Sequence, residues 1–296
     1  MQELKEKERR AIEVLKAFEP EDGYYLCYSG GKDSDCIRIL ADLAGVKHEI
    51  HHNLTTADAP ETVYYVKSQP NVIIHKPELS MWRLIEKKMI PPTRLTRYCC
   101  AILKENGGAG RLKITGVRKK ESVNRAQLGG LVKIIGKPAT VKKEAEANGV
   151  DFEINRLGGI ILNTDDDPSR RLVEQCYRTT SMMVNPIIEW SGADVWDFLH
   201  AHGCQSNPLY ECGVKRVGCI GCPMAGHEKQ KKEFEMYPKY RSMYVAAFDR
   251  MLEAREKAGK PRHTKTTSWT DGEAVMRWWL GEDEAQILWE DIGLEV

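Results

Sequence analysis

The sequence predicts an α/β fold, in which helices cover both faces of a mostly parallel β-sheet, followed by a helical C-terminal region. Between residues 24 and 118, short apolar segments alternate with segments of helical spacing, and this alternation is typical of βαβ units. After Cys222 the apolar positions follow helical spacing only, and many of them are aromatic. A chain of 296 residues can bury such a core without disulfide bonds.

The elements can be assigned in order along the chain. Residues 3–18 carry apolar side chains at helical spacing, and Pro20 and Gly23 end this first helix. The elements that follow are strands expected at 24–29, 46–54, 71–75 and 111–118, and helices expected at 33–44, 60–69, 79–89 and 99–105.

The pattern weakens between about 126 and 175, which we interpret as an insertion that could be rich in strands. It returns with a strand at 181–190 and a helix that begins after Ser191, where Asp194 completes a capping box. We therefore expect one domain at 1–225, interrupted by the insertion, and a C-terminal helical region at 226–296.

Composition excludes several classes of protein. The 44 Lys and Arg residues against 43 Asp and Glu residues give a net charge of +1, so any anionic partner must meet a local patch. The charged N-terminus and the absence of a long apolar run predict a cytoplasmic protein with no membrane partner. In a reducing compartment, nine cysteines favour metal binding or redox chemistry over disulfides.

The segment "CYSGGKDSDC", residues 27–36, stands where the first predicted strand turns into a helix. Such a turn gathers free backbone N–H groups at the positive end of a helix and can bind an anion. The usual P-loop would need Gly in place of Leu26 and Ser or Thr in place of Asp33, so this is a different loop. An ordinary strand-to-helix turn is the alternative.

"YSGGKDS" resembles the pyrophosphate-binding loop of the adenine nucleotide alpha hydrolase superfamily, whose members bind ATP or an adenylylated nucleotide on a Rossmann-like sheet. The resemblance implies that ATP binds with Mg²⁺ and is split into AMP and pyrophosphate. It implies that Asp33 contacts the magnesium ion. The phosphate-binding residues that it implies are Ser29, Gly30, Gly31, Lys32, Asp33 and Ser34.

Four further motifs resemble, in sequence order, the phosphoadenosine phosphosulfate reductase family: "RYCCAILK", "TGVRKKESVNR", "NPIIEWSGADVWDFL" and "NPLYECGVKRVGCIGCP". The resemblance implies that Arg118 and Arg125 contact phosphate or sulfate, and surface ion pairs are the alternative. Thr55, Thr56 and Asp58 follow the second strand, where folds of this class meet the nucleoside, although a simple turn explains them as well.

The cysteines suggest a metal site. "CIGC" can place Cys219 and Cys222 on one metal ion. In the iron-sulfur members of the resembled family, a tandem pair such as Cys99 and Cys100 joins a distant CxxC to hold a [4Fe-4S] cluster. A rival set replaces that pair with Cys204 and Cys212, as in the DNA phosphorothioation sulfurtransferases.

Zinc is a further alternative at either set of four cysteines. Cys27 and Cys36 flank the phosphate loop and are best explained as buried structural thiols. Cys176 has no assigned role.

Two features favour ATP-dependent sulfur transfer over sulfate reduction. The reductases of this family attack sulfate with a cysteine near the C-terminus, and no cysteine follows Cys222 here. They also carry a degraded phosphate loop, whereas this one is intact. We therefore expect an ATP pyrophosphatase that adenylylates an acceptor for sulfur transfer, with Lys32, Mg²⁺ and Arg118 stabilising charge and Asp33 assisting them.

Two other functions remain open. One is a phosphoadenosine phosphosulfate or adenylyl sulfate reductase that uses a thioredoxin-like donor and releases sulfite. The other is a non-catalytic nucleotide-binding iron-sulfur protein. In the favoured function, the partners would be an adenine nucleotide and a sulfur donor protein such as a cysteine desulfurase.

Nucleic acid is a candidate acceptor. Residues 255–265 gather five basic side chains, and Trp269, Trp278 and Trp279 follow closely. Basic residues interleaved with aromatic ones can hold phosphates and stack bases. Tryptophans at helical positions are, however, more often part of a core.

Overall fold

The structure is a computed structural model that describes most of the chain. The described residues are 2–94, 96–104, 107–119, 132–135, 152–154, 160–162, 181–262 and 269–282. They form two compact units. The first unit draws on residues 1–53, 60–75 and 107–217, and the second on 54–59, 76–106 and 218–296. The division into 1–225 and 226–296 stays a prediction.

The first unit is built on a β-sheet with a parallel centre, which confirms the predicted fold class. The strands are β1 Tyr24–Cys27, β2 His48–Asn53, β3 Val72–His75, β4 Leu112–Ile114, β5 Val132–Ile135, β6 Phe152–Ile154, β7 Ile160–Leu162 and β8 Ser181–Val184. Their order in the sheet is β3-β2-β1-β4-β8-β5-β7-β6. The first five of these run parallel to one another.

Strands β5, β6 and β7 fall in the predicted insertion and extend the sheet in antiparallel pairs. The remainder of 126–175 lies outside the described residues.

The helices of the described chain are α1 Gln2–Ala17, α2 Lys32–Ala44, α3 Pro60–Ser68, α4 Met81–Lys88, α5 Tyr98–Leu103, α6 Gly192–Ala201, α7 His227–Met236, α8 Pro238–Lys257 and α9 Gly272–Trp279. The helix α6 begins as predicted, because the Ser191 hydroxyl accepts the Asp194 N–H and the Asp194 carboxylate accepts the Ser191 N–H. No described helix is both long enough and apolar enough to cross a bilayer.

The core of the first unit lies around the parallel strands and α2. Leu26, Ile114 and Val184 are fully buried on neighbouring strands, and Ile37 and Leu40 are fully buried on α2. Strands buried on both faces are expected in a parallel sheet that helices cover. This packing fixes the ends of β1 and β4, from which the phosphate loop and the "TGVR" segment begin.

One predicted strand is shorter than expected. We predicted residues 181–190 as a strand, but β8 ends at Val184 and two turns follow. The Ile188 N–H donates to the Asn185 carbonyl and the Trp190 N–H donates to the Ile187 carbonyl. Pro186 has no N–H to give to a neighbouring strand, which explains why pairing stops there.

The second unit packs α4, α7 and α9 against α8. The ring of Tyr244 lies 4.9 Å from that of Trp279 and 5.5 Å from that of Phe234, measured between ring centroids. The Tyr244 hydroxyl donates to the Ile220 carbonyl at 3.0 Å. This aromatic core therefore holds the segment that carries the CxxC cysteines.

Candidate functional site

The predicted phosphate loop, residues 29–34, joins β1 to α2, and its shape depends on one glycine and one serine. Gly30 has φ +71°, and a Cβ on it would lie 2.7 Å from the Val66 side chain. The Ser34 hydroxyl donates to the Gly31 carbonyl at 2.7 Å and accepts the Gly31 N–H at 3.1 Å. Ser29 donates to the same hydroxyl at 3.2 Å. In this structure Ser34 therefore stabilises the loop itself.

Three charged residues meet at the first turn of α2. The Lys32 ammonium donates to both Asp33 carboxylate oxygens at 2.8 and 2.9 Å, and Arg118 Nε donates to Asp33 Oδ1 at 2.7 Å. Lys32 and Arg118 are buried. Burial lowers the pKa of Lys32, and the Asp33 carboxylate opposes that effect. Two cations and one carboxylate leave this turn with a positive balance, which suits phosphate.

The "TGVR" segment packs directly against this turn. A Cβ on Gly116 would lie 2.9 Å from the Asp33 carbonyl oxygen. Only a residue without a side chain allows this approach, so Gly116 sets the distance between the segment and α2. Arg118 follows two residues later and reaches Asp33 from there.

Two residues that the sequence did not single out brace the loop. The Asn207 amide donates to the Gly30 carbonyl at 3.0 Å and to the Thr62 hydroxyl at 3.2 Å. The Tyr210 hydroxyl accepts the Lys32 N–H at 2.9 Å. Both belong to "NPLY", a motif noted only for its family resemblance. The motif therefore marked both residues in the sequence, but it did not indicate that they contact the loop.

A buried carboxylate lies one turn into α2. Asp35 is fully buried and accepts a hydrogen bond of 2.5 Å from the Tyr28 hydroxyl. Burial raises the pKa of Asp35 to about 6, and the hydrogen bond from Tyr28 opposes that rise. Repulsion from the nearby Asp33 carboxylate adds to that rise.

In the second unit, four cysteines line one narrow cavity of about 20 Å³. They are Cys99, Cys100, Cys219 and Cys222. Lys104 also lines it, and the negative charge of a Cys219 thiolate raises the pKa of that lysine. The Thr55 hydroxyl lies 3.3 Å from Cys219 Sγ.

The four cysteines have the right chemistry for a metal centre, but their side chains are not arranged as a complete metal site. Four thiols satisfy the ligation of an iron-sulfur cluster or of zinc. Among the described residues, however, no three His, Cys, Asp or Glu side chains are grouped as a metal site. The structure therefore brings the predicted cysteines to one cavity without forming a complete ligand group.

The other cysteines lie elsewhere. Cys204 is half-buried in the first unit and Cys212 is exposed, and neither lines the cavity of the four thiols. Cys36 is fully buried as predicted, whereas Cys27 is half-buried, and burial raises the pKa of Cys27 to about 11. Cys176 and the predicted phosphate ligand Arg125 lie outside the described residues.

The loop 54–59 holds Thr56 and Asp58, which were predicted to meet the nucleoside. Asp58 accepts the Thr55 N–H at 2.7 Å and forms a backbone bridge with Cys219. Thr56 has φ +64°, and its hydroxyl accepts the Met81 N–H at the start of α4. Both side chains stabilise the turn, as the alternative explanation held, and a nucleoside contact stays a prediction.

The three tryptophans that were candidates for stacking bases are not accessible to a nucleic acid at the surface. Trp269, Trp278 and Trp279 are all buried, and Trp279 Nε1 donates to the Pro92 carbonyl at 2.6 Å. Their apolar area stabilises the second unit, which corrects the stacking surface proposed from the sequence. The Arg255 guanidinium donates hydrogen bonds to the Met89 and Pro261 carbonyls.

Comparison with known proteins gives a family. Residues 23–225 match the family model for the phosphoadenosine phosphosulfate reductase domain. The chain is 23% identical over 265 residues to an uncharacterized protein of Methanocaldococcus jannaschii, covering 82% of this chain and 53% of that protein. It thus spans about half the length of the curated relatives it matches.

The chain is also similar to part of one reductase and, in fold, to one solved structure. The adenosine 5'-phosphosulfate reductase of Staphylococcus saprophyticus is 34% identical over 67 residues, which cover 22% of this chain and 28% of the reductase. The U34-tRNA thiolase NcsA from Methanococcus maripaludis, solved with its [4Fe-4S] cluster, has 9% identity and a TM-score of 0.37, covering 96% of this chain and 89% of that one. A likeness this weak supports no functional conclusion.

Proposed function

Because this chain belongs to the phosphoadenosine phosphosulfate reductase domain family, a family of nucleotide-using enzymes, we propose that it splits ATP into AMP and pyrophosphate and transfers AMP to an acceptor for sulfur insertion. The observation that carries this proposal is the group formed by Lys32, Asp33 and Arg118 beside an intact glycine loop. A leaving pyrophosphate needs such charge, whereas a sulfonucleotide substrate has no pyrophosphate to expel.

The proposed reaction has two steps. The oxygen of an acceptor hydroxyl bonds to the α-phosphorus of ATP and loses its proton to water, the bond from that phosphorus to the bridging oxygen breaks, and pyrophosphate leaves. The acceptor oxygen now carries AMP and has become a good leaving group. A hydrosulfide ion then bonds to the acceptor atom, and AMP departs with the oxygen. The acceptor gains a thiol in place of its hydroxyl.

Each loop residue has a role in the first step. The Lys32 ammonium and the Arg118 guanidinium would stabilise the charge that develops on pyrophosphate. Asp33 carries the oxygen donors that Mg²⁺ prefers, and it would hold the ion that accompanies ATP. Lys32 now occupies both carboxylate oxygens, so it must turn toward the phosphates as the ion binds.

We further propose that Cys99, Cys100, Cys219 and Cys222 hold a [4Fe-4S] cluster, with zinc as the alternative metal. The support is that these four thiols line one cavity while the rival pair Cys204 and Cys212 does not. A bound cluster would supply iron that can hold a sulfide. Lys104 would offset part of the negative charge of the thiolates.

A second candidate is reduction of adenylyl sulfate or its 3'-phosphorylated form. The local 34% identity to an adenosine 5'-phosphosulfate reductase favours it. The same cations could hold a sulfate or a single phosphate. Release of sulfite in the presence of a thioredoxin-like donor would identify this activity. That result would leave the proposed cysteine ligands of the metal unchanged.

The experiment is an assay for AMP and pyrophosphate with oxygen excluded, using MgATP with and without nucleic acid. We expect Lys32→Ala to lower the rate at least a hundredfold at unchanged iron content. Lys16→Ala, which removes an exposed lysine of α1, is the matched control and should keep the wild-type rate. Equal rates in the wild type and Lys32→Ala, or sulfite from adenylyl sulfate with no AMP from ATP, would overturn the proposal.

A further inference from the structure

The first unit contains a pocket of about 860 Å³ that the proposed chemistry does not use. It is lined by residues of α3, of α6 and of the segment 204–211, which includes the short 3₁₀ turn Pro208–Tyr210. Its volume lies in the range of pockets that hold small molecules. The residues that matter for its chemistry are Tyr65, Gln69, Trp196, His200, Ser206 and Tyr210.

The walls of this pocket favour a flat ring. The Trp196 ring meets the Tyr210 ring edge-on at 5.0 Å and lies nearly parallel to the His200 ring at 5.9 Å, measured between centroids. Trp196 is half-buried, so part of its ring surface is available to a ligand. Bases stack on the faces of aromatic side chains.

The charge of the lining points to a ring without a phosphate. None of the described lining residues is Lys or Arg, and Glu211 is the acidic one. This contrasts with the cations at the phosphate loop of the same unit. Polar groups are nevertheless present to contact the edge of a ring. The Ser206 hydroxyl and the Gln69 amide both line the pocket.

The pocket and the phosphate loop share Tyr210. Its hydroxyl accepts the Lys32 N–H on the loop side, while its ring forms part of the pocket wall. Asn207, three residues earlier, lines the pocket and holds the Gly30 carbonyl. A ring in the pocket and phosphates on the loop would therefore lie on opposite sides of one short segment.

We propose that this pocket binds a nucleobase of the acceptor, separate from the ATP whose phosphates the loop would hold. The assignment to an acceptor rests on the proposed function, whereas ring binding does not. An acceptor base held here would be sensed at the loop through Tyr210. The proposal makes nucleotides or nucleic acid the acceptor class.

The test is calorimetric titration of the whole chain with adenosine, guanosine, cytidine and thymidine, which carry no phosphate. We expect at least one of them to bind, and Trp196→Ala to weaken that binding at least tenfold. Trp196→Phe keeps a ring and should stay within about threefold of the wild type. Tyr64→Ala is the matched control, because Tyr64 is 71% exposed on α3 and does not line the pocket.

If Trp196→Ala fails to fold, as judged by circular dichroism, Gln69→Ala replaces it and should also weaken binding. Absence of nucleoside binding, or equal affinity in the wild type and the pocket variants, would overturn the proposal. A saturating, non-hydrolysable ATP analogue should leave nucleoside binding in place. Displacement of the nucleoside, with equal loss of analogue affinity in Trp196→Ala, would instead assign the pocket to ATP.

The two proposals can fail separately. If a nucleoside binds as expected and MgATP yields no AMP under any condition, the proposed function fails and the acceptor assignment falls with it. The ring pocket itself would stand. If AMP forms and no nucleoside binds, the proposed function stands and the pocket proposal is refuted.

Discussion

Gly116→Ala tests whether the close approach of the "TGVR" segment sets the geometry of the phosphate loop. The added methyl carbon would meet the Asp33 carbonyl oxygen at 2.9 Å and the Asp33 carbonyl carbon and Cβ at 3.0 Å. Ordinary contact begins at 3.4 Å, so the two segments must separate by about 0.5 Å. Two of these atoms are backbone in the first turn of α2, and no rotamer change relieves them.

Overpacking of this kind costs about 1–3 kcal/mol, and a shift of about half an ångström at reacting groups should slow AMP formation about tenfold. The assays are thermal unfolding and the AMP assay with MgATP. Gly192→Ala is the matched control, because nothing lies within 4 Å of its Cβ at the start of α6. Identical unfolding temperatures and rates in the two variants would refute the reasoning.

Two further predictions concern the cysteines and the buried carboxylate. Cys219→Ser should lose bound iron and its visible absorbance, whereas Cys212→Ser, whose side chain is exposed, should keep both; equal loss in the two would contradict the ligand set. Burial raises the pKa of Asp35 from 3.8 to about 6, so ionisation of this group destabilises the fold as the pH rises through that interval. In urea unfolding, the free energy of unfolding of Asp35→Asn should therefore rise relative to that of the wild type between pH 4 and 7, by up to about 3 kcal/mol. A difference that does not change with pH would argue against this.

The sequence predicted the fold wherever neighbouring residues determine the structure. The helical spacing of α1 and α2 and the capping box at Ser191 depend on residues within a few positions of each other, and the structure confirms them. The strand expected at 181–190 was too long because its apolar pattern continues through Pro186, where hydrogen bonding stops. The hydrophobic pattern alone does not show that Pro186 lacks the backbone N–H that strand pairing needs.

The candidate site was predicted only in part, for the same reason. Lys32 and Asp33 are adjacent in the chain, and a motif placed Arg118 with them. Asn207 contacts the loop across 177 positions, and Tyr210 does so across 178. Such contacts depend on how α3 and the 3₁₀ turn pack, which no local pattern encodes. The buried tryptophans show the converse, because a suggestive local composition proved to be core.

The role of Tyr210 also limits what the loop motif alone can say about phosphate binding. An anion at this loop needs free N–H groups, and the Lys32 N–H already has an acceptor in the Tyr210 hydroxyl. Because a phenol is neutral, it contributes no charge to oppose Lys32 and Arg118, and a phosphate oxygen could replace it as the better acceptor. Tyr210 therefore belongs to both places, because its hydroxyl contacts the Lys32 N–H while the residue also lines the pocket.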